Sequence, residues 1–249
     1  MLKRGFFAGL AAVLVAVAAP WPAAAEAVRV GITPTGVPFT FVDTATQKPA
    51  GAMVDLATAI AADAGLTAEF QVNAFPALIP ALTTDRIDLI SASMFVTEKR
   101  KEVIDFSTPV YSYGEIMFVS AQDPKNYKIA ELKGGVIGAP IGSTFADALQ
   151  KLGLFKEVKL YDSIADIVRD VRLGRIKAGF GDRPIVAYQL AQQPDLGVRL
   201  VEGYQPMKEG QIALAVAKNN PKLLQAVNTA IDRLQRSGQL QKIFARYGL

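Results

Sequence analysis

Arg100 stands in the one dense basic cluster of the chain, Lys99-Arg100-Lys101, with Glu98 and Glu102 on either side. A guanidinium fork matches a carboxylate with two parallel charge-assisted hydrogen bonds, a geometry that an ammonium point charge does not reproduce. The same arginine also reads as a solvated side chain on a short helix that Thr97 would cap. Asp182 follows the apolar run Ala178-Gly179-Phe180 and precedes Pro184, a residue suited to a first helical turn. Its carboxylate either caps that helix or faces a ligand, and about four acceptor sites leave room for both. Ser143 and Thr144 follow Gly142 where a strand pattern gives way to a helix, a place where outward backbone N–H groups favour an anion. Ordinary capping is again the alternative. Histidine and cysteine are both absent. Their absence excludes disulfides, iron–sulfur clusters, thiolate or imidazole metal sites, and Ser-His or Cys-His nucleophile pairs. No cofactor is expected, and the glycines between Gly134 and Gly142 lack dinucleotide-fingerprint spacing.

The framework that must hold these residues alternates strand and helix patterns. Strand-like runs lie at residues 28–32, 70–72, 87–90 and 116–119, the first ending at a Pro/Gly turn over Thr33 to Pro38. Helical spacing marks Met53, Val54, Leu56, Ala57, Ile60 and Ala61, and again Phe75, Leu78, Ile79 and Leu82. The rhythm then restarts. Strands are predicted at 135–138, 158–160, 178–180 and 198–201, with helices from Thr144 and over Ile164, Ile167, Val168 and Val171. A long apolar strand is predicted at 212–217, then amphipathic helices at 221–236 and 239–246. Such alternation specifies an α/β fold of mostly parallel sheets flanked by helices. Two similar runs suggest two lobes, with seams near residues 116–119 and 212–216. The expected division is 26–117 and 212–249 for the first lobe and 118–211 for the second.

Residues 1–25 have a different character. Lys3 and Arg4 precede an uncharged apolar run from Gly5 to Ala19, and Ala23-Ala24-Ala25 follows Pro22. This is the layout of a secretory signal peptide, with cleavage expected after Ala25. The run is shorter than the ~20 residues that span a bilayer as a helix. The remainder keeps all 23 acids and 25 of the 27 basic residues, so its net charge is close to balance. The charges are interspersed, without the basic stripe and stacking aromatics of a nucleic-acid binder.

Several segments carry a specific resemblance. They are Phe75-Pro-Ala-Leu-Ile-Pro-Ala-Leu82, Asp85-Arg-Ile-Asp-Leu-Ile-Ser-Ala-Ser-Met94, Thr97-Glu-Lys-Arg100 and Val103-Ile-Asp-Phe-Ser-Thr-Pro-Val-Tyr111. In this order and spacing they resemble the periplasmic amino-acid-binding proteins of ABC importers. Val37-Pro-Phe39, Gly51-Ala-Met-Val-Asp-Leu56, Gly142-Ser-Thr144 and Ala178-Gly-Phe-Gly-Asp182 fall in place around them. The resemblance implies the two-lobed periplasmic-binding-protein fold, in which two hinge strands join the sheets and the cleft holds the ligand. It also implies a non-enzymatic monomer, located in the periplasm, that passes its ligand to a membrane permease. By resemblance, Arg100 takes the carboxylate of the ligand, and Thr144 with Ser143 completes that site from the second lobe. Asp182 takes the ammonium, an oxygen of Ser93 receives the same amine, and Phe75 forms an apolar wall. Asp55, Asp88 and Asp105 read as scaffold.

Three positions depart from the family's pattern. Many relatives carry a serine or threonine where Phe95 stands, leaving only a backbone N–H to donate. Gly36 replaces an aromatic ring that stacks on the ligand. Thr33 stands where binders of cationic amino acids often have an acid, which favours an uncharged or acidic ligand. The same fold also hosts secreted dehydratases, which need a positioned acid such as Glu115 or Glu131. A sensory partner of a membrane receptor is a third class, indistinguishable from transport by sequence.

Overall fold

The computed structural model describes residues 26–249, so the expected signal segment lies outside the described residues. The first part of the chain supplies strands β1 (Ala27–Ile32), β2 (Thr35–Gly36), β3 (Thr40–Val42), β4 (Pro49–Ala50), β5 (Thr67–Val72), β6 (Leu89–Ile90) and β7 (Ile104–Phe106). It continues with β8 (Tyr111–Ser120), β9 (Val136–Pro140), β10 (Glu157–Tyr161), β11 (Ala178–Asp182), β12 (Val198–Leu200), β13 (Glu209–Ile212) and β14 (Ala215–Ala217). The helices are α1 (Ala52–Asp63), α2 (Leu78–Thr83), α3 (Glu98–Lys101), α4 (Thr144–Leu152), α5 (Ile164–Arg172), α6 (Arg183–Gln192), α7 (Pro221–Arg236) and α8 (Gln239–Ala245).

The first sheet has the order β5-β1-β6-β14-β7 and the second β10-β9-β11-β8-β12. The two share one plan. In the first, β14 runs antiparallel to both neighbours while the others point one way. In the second, β8 is the single reversed strand. The sheets are thus mostly parallel, and the reversed strand of each follows a crossing from the other. The N-terminal part of β8 pairs with β13, Tyr111 to Gly114 against Ile212 to Glu209. Residues 115–117, placed by the sequence with the first lobe, pair with β11 in the second sheet.

Helix ends follow the side-chain chemistry. Ser163 accepts from the Asp166 N–H at 3.2 Å and opens α5, whose Ile164, Ile167, Val168 and Val171 are buried on one face. α7 and α8 pack on α1, with Arg233–Asp63 (2.9 Å) and Arg246–Asp55 (3.3 Å) ion pairs at the edges. The core holds fully buried Val30, Ile32, Leu56, Phe118 and Phe180, each side chain contributing about 1.5–3 kcal/mol of burial.

Two expectations change. The apolar run 212–217 is not one strand, because Ser107 interrupts it. The Leu214 N–H donates to Ser107 Oγ at 3.1 Å, and the Ser107 N–H donates to the Leu214 carbonyl at 2.9 Å. The predicted turn at 33–38 contains β2, which joins β3 and β4 in a small third sheet.

Candidate functional site

A cleft of about 310 Å³ lies between the two large sheets, lined from the first by Thr33, Gly36, Phe75, Ser93, Phe95 and Arg100 and from the second by Ser143, Thr144 and Asp182. All nine residues singled out in the sequence therefore face one cavity, at the low end of the range typical of small-molecule sites.

Arg100 is held from its backbone outward. The Thr97 hydroxyl accepts the Arg100 N–H at 3.2 Å and starts α3. Nη1 donates to the Phe95 carbonyl at 2.7 Å, and Nη2 reaches across the cleft to the Gly142 carbonyl at 3.1 Å. The guanidinium carbon sits 5.5 Å from the centre of the Phe75 ring. Burial lowers the pKa of Arg100, yet an arginine starts so high that it stays charged. No carboxylate of the protein forms an ion pair with it among the described residues. Phe75 begins a short 3-10 turn, Phe75–Ala77, ahead of α2 rather than lying within that helix.

Across the cleft, the two residues at the start of α4 divide their work. Ser143 is the cap: its Oγ accepts the Ala146 N–H at 3.1 Å and donates to the Pro140 carbonyl at 2.8 Å. Thr144 Oγ1 is buried without a hydrogen-bond partner. Leaving a hydroxyl so costs about 1–3 kcal/mol. Thr144 is therefore the group of this pair with capacity to spare.

Asp182 closes β11. Its carboxylate makes no capping bond to α6, so the capping alternative does not hold here. Oδ1 instead lies 2.5 Å from the Tyr113 hydroxyl, which is also 3.3 Å from the Ser93 carbonyl. Burial raises the Asp182 pKa, and the Tyr113 contact works against that rise. Burial, then the nearby Asp182 charge, push the Tyr113 phenol well above its ordinary value. Ser93 adopts a left-handed backbone, φ 48°, which turns its carbonyl toward that phenol.

Tyr113 was absent from the sequence-based candidates. It stands on β8, two residues after Tyr111 and hence on the same strand face, and the spacing of the two tyrosines was the available signal. Its ring packs 4.7 Å from Phe95 and 5.5 Å from Phe39. Thr33 and Thr40 bond one another at 2.6 Å, so their hydroxyls already have partners. A Cβ on Gly36 would lie 3.3 Å from both Thr33 Oγ1 and the Thr40 carbonyl, so a side chain there fits only if these neighbours give way slightly. Neither proposed acid lies in the cleft. Glu115 is fully buried and accepts from Tyr204 at 2.7 Å, from the Met207 N–H at 2.5 Å and from the Lys208 N–H at 3.1 Å. Glu131 accepts the Lys128 N–H at 2.7 Å at the start of a surface 3-10 turn.

An α/β molecule of two sheets with a ligand-sized cleft between them defines a two-lobed binding protein. The profile of the bacterial extracellular solute-binding proteins, family 3, matches residues 28–249, and the chain belongs to that family. ABC transporter arginine-binding protein 1 of Escherichia coli K12 is 30% identical over 221 residues, covering 88% of this chain and 90% of that one. The structure of an ancestral arginine-binding protein bound to glutamine is similar, with TM-score 0.82, 32% identity, and coverage of 89% and 97%. So is an ancestral amino-acid-binding protein described as a precursor of cyclohexadienyl dehydratase, with TM-score 0.80, 27% identity, and coverage of 89% and 95%.

Proposed function

We propose that this chain is a periplasmic receptor that captures an amino acid or a related small carboxylate between its two sheets and delivers it to the membrane permease of an ABC transporter. The observation that carries this reading is the meeting of Arg100 and Thr144. One brings a cation without a carboxylate partner and the other an unpartnered hydroxyl, from opposite sides of one cleft. A ligand carboxylate satisfies both. The binding names of the relatives support the same class of ligand. Residues 26–249 would act as the mature protein, with the lobe boundary at the pairing of Tyr111–Gly114 with Glu209–Ile212.

A thermal-shift screen of the mature chain against amino acids and small carboxylates tests the reading. A ligand at 100 times its Kd adds about 2.7 kcal/mol of stability, roughly 5–10 °C in Tm for a chain of this size. A screen in which none of them moves Tm sinks the proposal. Intact-mass measurement of protein released from the periplasm tests the location, with a start at Glu26 expected.

A further inference from the structure

We propose that Tyr113 is the positioning residue for a ligand ammonium in this cleft: its hydroxyl fixes the Asp182 carboxylate beside the Ser93 carbonyl, so that the ammonium meets one acceptor from each side. The inference rests on the receptor reading above and assigns how the amine of an amino-acid ligand is held.

Three carboxylates line the cleft. Asp162 is exposed, and Asp166 is taken by the Ser163 hydroxyl at 2.7 Å and by Arg169 at 2.9 Å. Asp182 has no cation partner among the described residues. Its Oδ1 lies 2.5 Å from the Tyr113 hydroxyl, the length of a charge-assisted bond from O–H to carboxylate. Oδ2 is left to the cleft. A phenol has one proton, so the Ser93 carbonyl, at the longer 3.3 Å, also keeps its acceptor capacity. Two acceptors thus flank one phenol, Ser93 from the first side of the cleft and Asp182 from the second.

The phenol is well placed to set their spacing. Tyr113 belongs to the part of β8 that pairs with β13 rather than with either large sheet. Its ring is buried against Phe95, at 4.7 Å, and Phe39, at 5.5 Å. Its hydroxyl reaches Asp182 at the end of β11. A donor behind the carboxylate aims Oδ2 into the cleft and favours the anion. Burial works the other way, and so does the charge of Glu115, which lies opposite Asp182 in the β8–β11 register; the Arg100 charge sides with Tyr113. Without the hydroxyl, the carboxylate would lose both its orientation and the hydrogen bond that keeps it ionised.

Calorimetry on the mature chain tests this with the proteinogenic L-amino acids and, for the one bound most tightly, with its analogue lacking the α-amine. Tyr113→Phe keeps the ring packing and removes the hydroxyl. Its affinity for the amino acid is expected to fall about tenfold more than its affinity for the analogue. The acid limb of amino-acid binding is expected to move to higher pH in Tyr113→Phe, because the carboxylate loses a donor that favours its charged form. Asp182→Asn is expected to lose the same amine preference, and adding Tyr113→Phe to it to cost little more, since the two residues act as one unit. Equal losses for amino acid and analogue, an unmoved acid limb, or losses that add in full in the double variant would reduce Tyr113 to packing and overturn the inference. A wild-type protein that binds amine-free carboxylates but no amino acid overturns it too and leaves the receptor reading standing. Binding of neither kind overturns the receptor reading as well.

Discussion

Arg100 holds two protein carbonyls, those of Phe95 and Gly142, and presents the rest of its fork to the cleft. Truncating one partner of a desolvated charge pair costs about 2–5 kcal/mol, roughly 30- to 4,000-fold in affinity. Arg100→Ala is expected to lose ligand binding to that extent while keeping its fold, since the side chain caps no helix and fills no core. Arg100→Lys is expected to fail substantially as well, because a point charge cannot replace the fork. Near-wild-type calorimetry for both variants would take Arg100 out of the site. Thr144 gives a sharper contrast. Its hydroxyl is buried and unpartnered, so Thr144→Val is expected to raise Tm slightly in the free protein and still weaken ligand binding by several-fold, about 1 kcal/mol. A variant that loses stability and keeps its affinity would show that the hydroxyl serves the fold. Arg100, Asp182 and Thr144 were legible because residue type, neighbours and family resemblance converge on them. Tyr113 was not, because a tyrosine on an apolar strand reads as core, and only the pairing of β8 with β11 and β13 brings its hydroxyl to Asp182 and Ser93.

At the level of elements, β11 and α5 set the position of Asp182. A Cβ on Gly179 would sit 2.3 Å from the Phe118 ring and 2.6 Å from Ile167. A ring wedged between sheet and helix has little freedom to give way. Gly179→Ala is expected to destabilise by about 1–3 kcal/mol, read as a lower urea midpoint; an unchanged midpoint would mean that the packing relaxes freely. α5 is also tied to β10 by Asp170, which takes Lys159 and Tyr161 at 2.8 Å each and Arg175 at 3.1 Å. The Lys159 hydrogen bond, then that of Tyr161, hold the Asp170 carboxyl far below its ordinary value. Asp123, bonded foremost by Lys177, is lowered to about 2. A folded pKa below the unfolded one stabilises fully above the unfolded value, about 3.9, and that contribution disappears as pH falls through the folded value. Urea midpoints are therefore expected to fall steadily from about pH 4 toward pH 2, and Asp170→Asn to flatten part of the slope. An equal slope in that variant would assign the acid sensitivity elsewhere. The helices were legible from caps and apolar spacing, as in α5. The small β2-β3-β4 sheet and the break before β14 were not. Two- and three-residue strands carry no readable period, and the break depends on Ser107 meeting Leu214 from over a hundred residues away.

Across the whole molecule, the two crossings between sheets are bounded by two anchors. On the first-sheet side Ser107 holds Leu214 through both backbone and side chain. On the second, buried Glu115 takes the N–H groups of Met207 and Lys208 together with the Tyr204 hydroxyl, tying the lead into β13 to β8. Between these anchors lie residues 108–114 and 209–213, of which Tyr111–Gly114 and Glu209–Ile212 pair as a two-stranded ribbon. Rotation of one sheet against the other is expected to concentrate there, four residues or so ahead of the seam that the apolar run at 116–119 suggests. One hydrogen bond across the cleft, from Arg100 to Gly142, is exposed at 3.1 Å, and a single exposed hydrogen bond contributes about 1 kcal/mol. On the proposed reading, a ligand carboxylate shared by Arg100 and Thr144 would bind the closed arrangement better than the open one, the differential affinity that shifts a population. Small-angle scattering should then show the radius of gyration falling on saturation toward the compact value of about 17 Å for a chain of this length. Glu115→Gln weakens one anchor by removing its charge. It is expected to widen the free ensemble and to weaken binding from outside the cleft lining, because more closure must be driven by the same contacts. A radius that does not change when ligand saturates an open protein would overturn closure. A Glu115→Gln protein with wild-type affinity and scattering would place the pivot elsewhere.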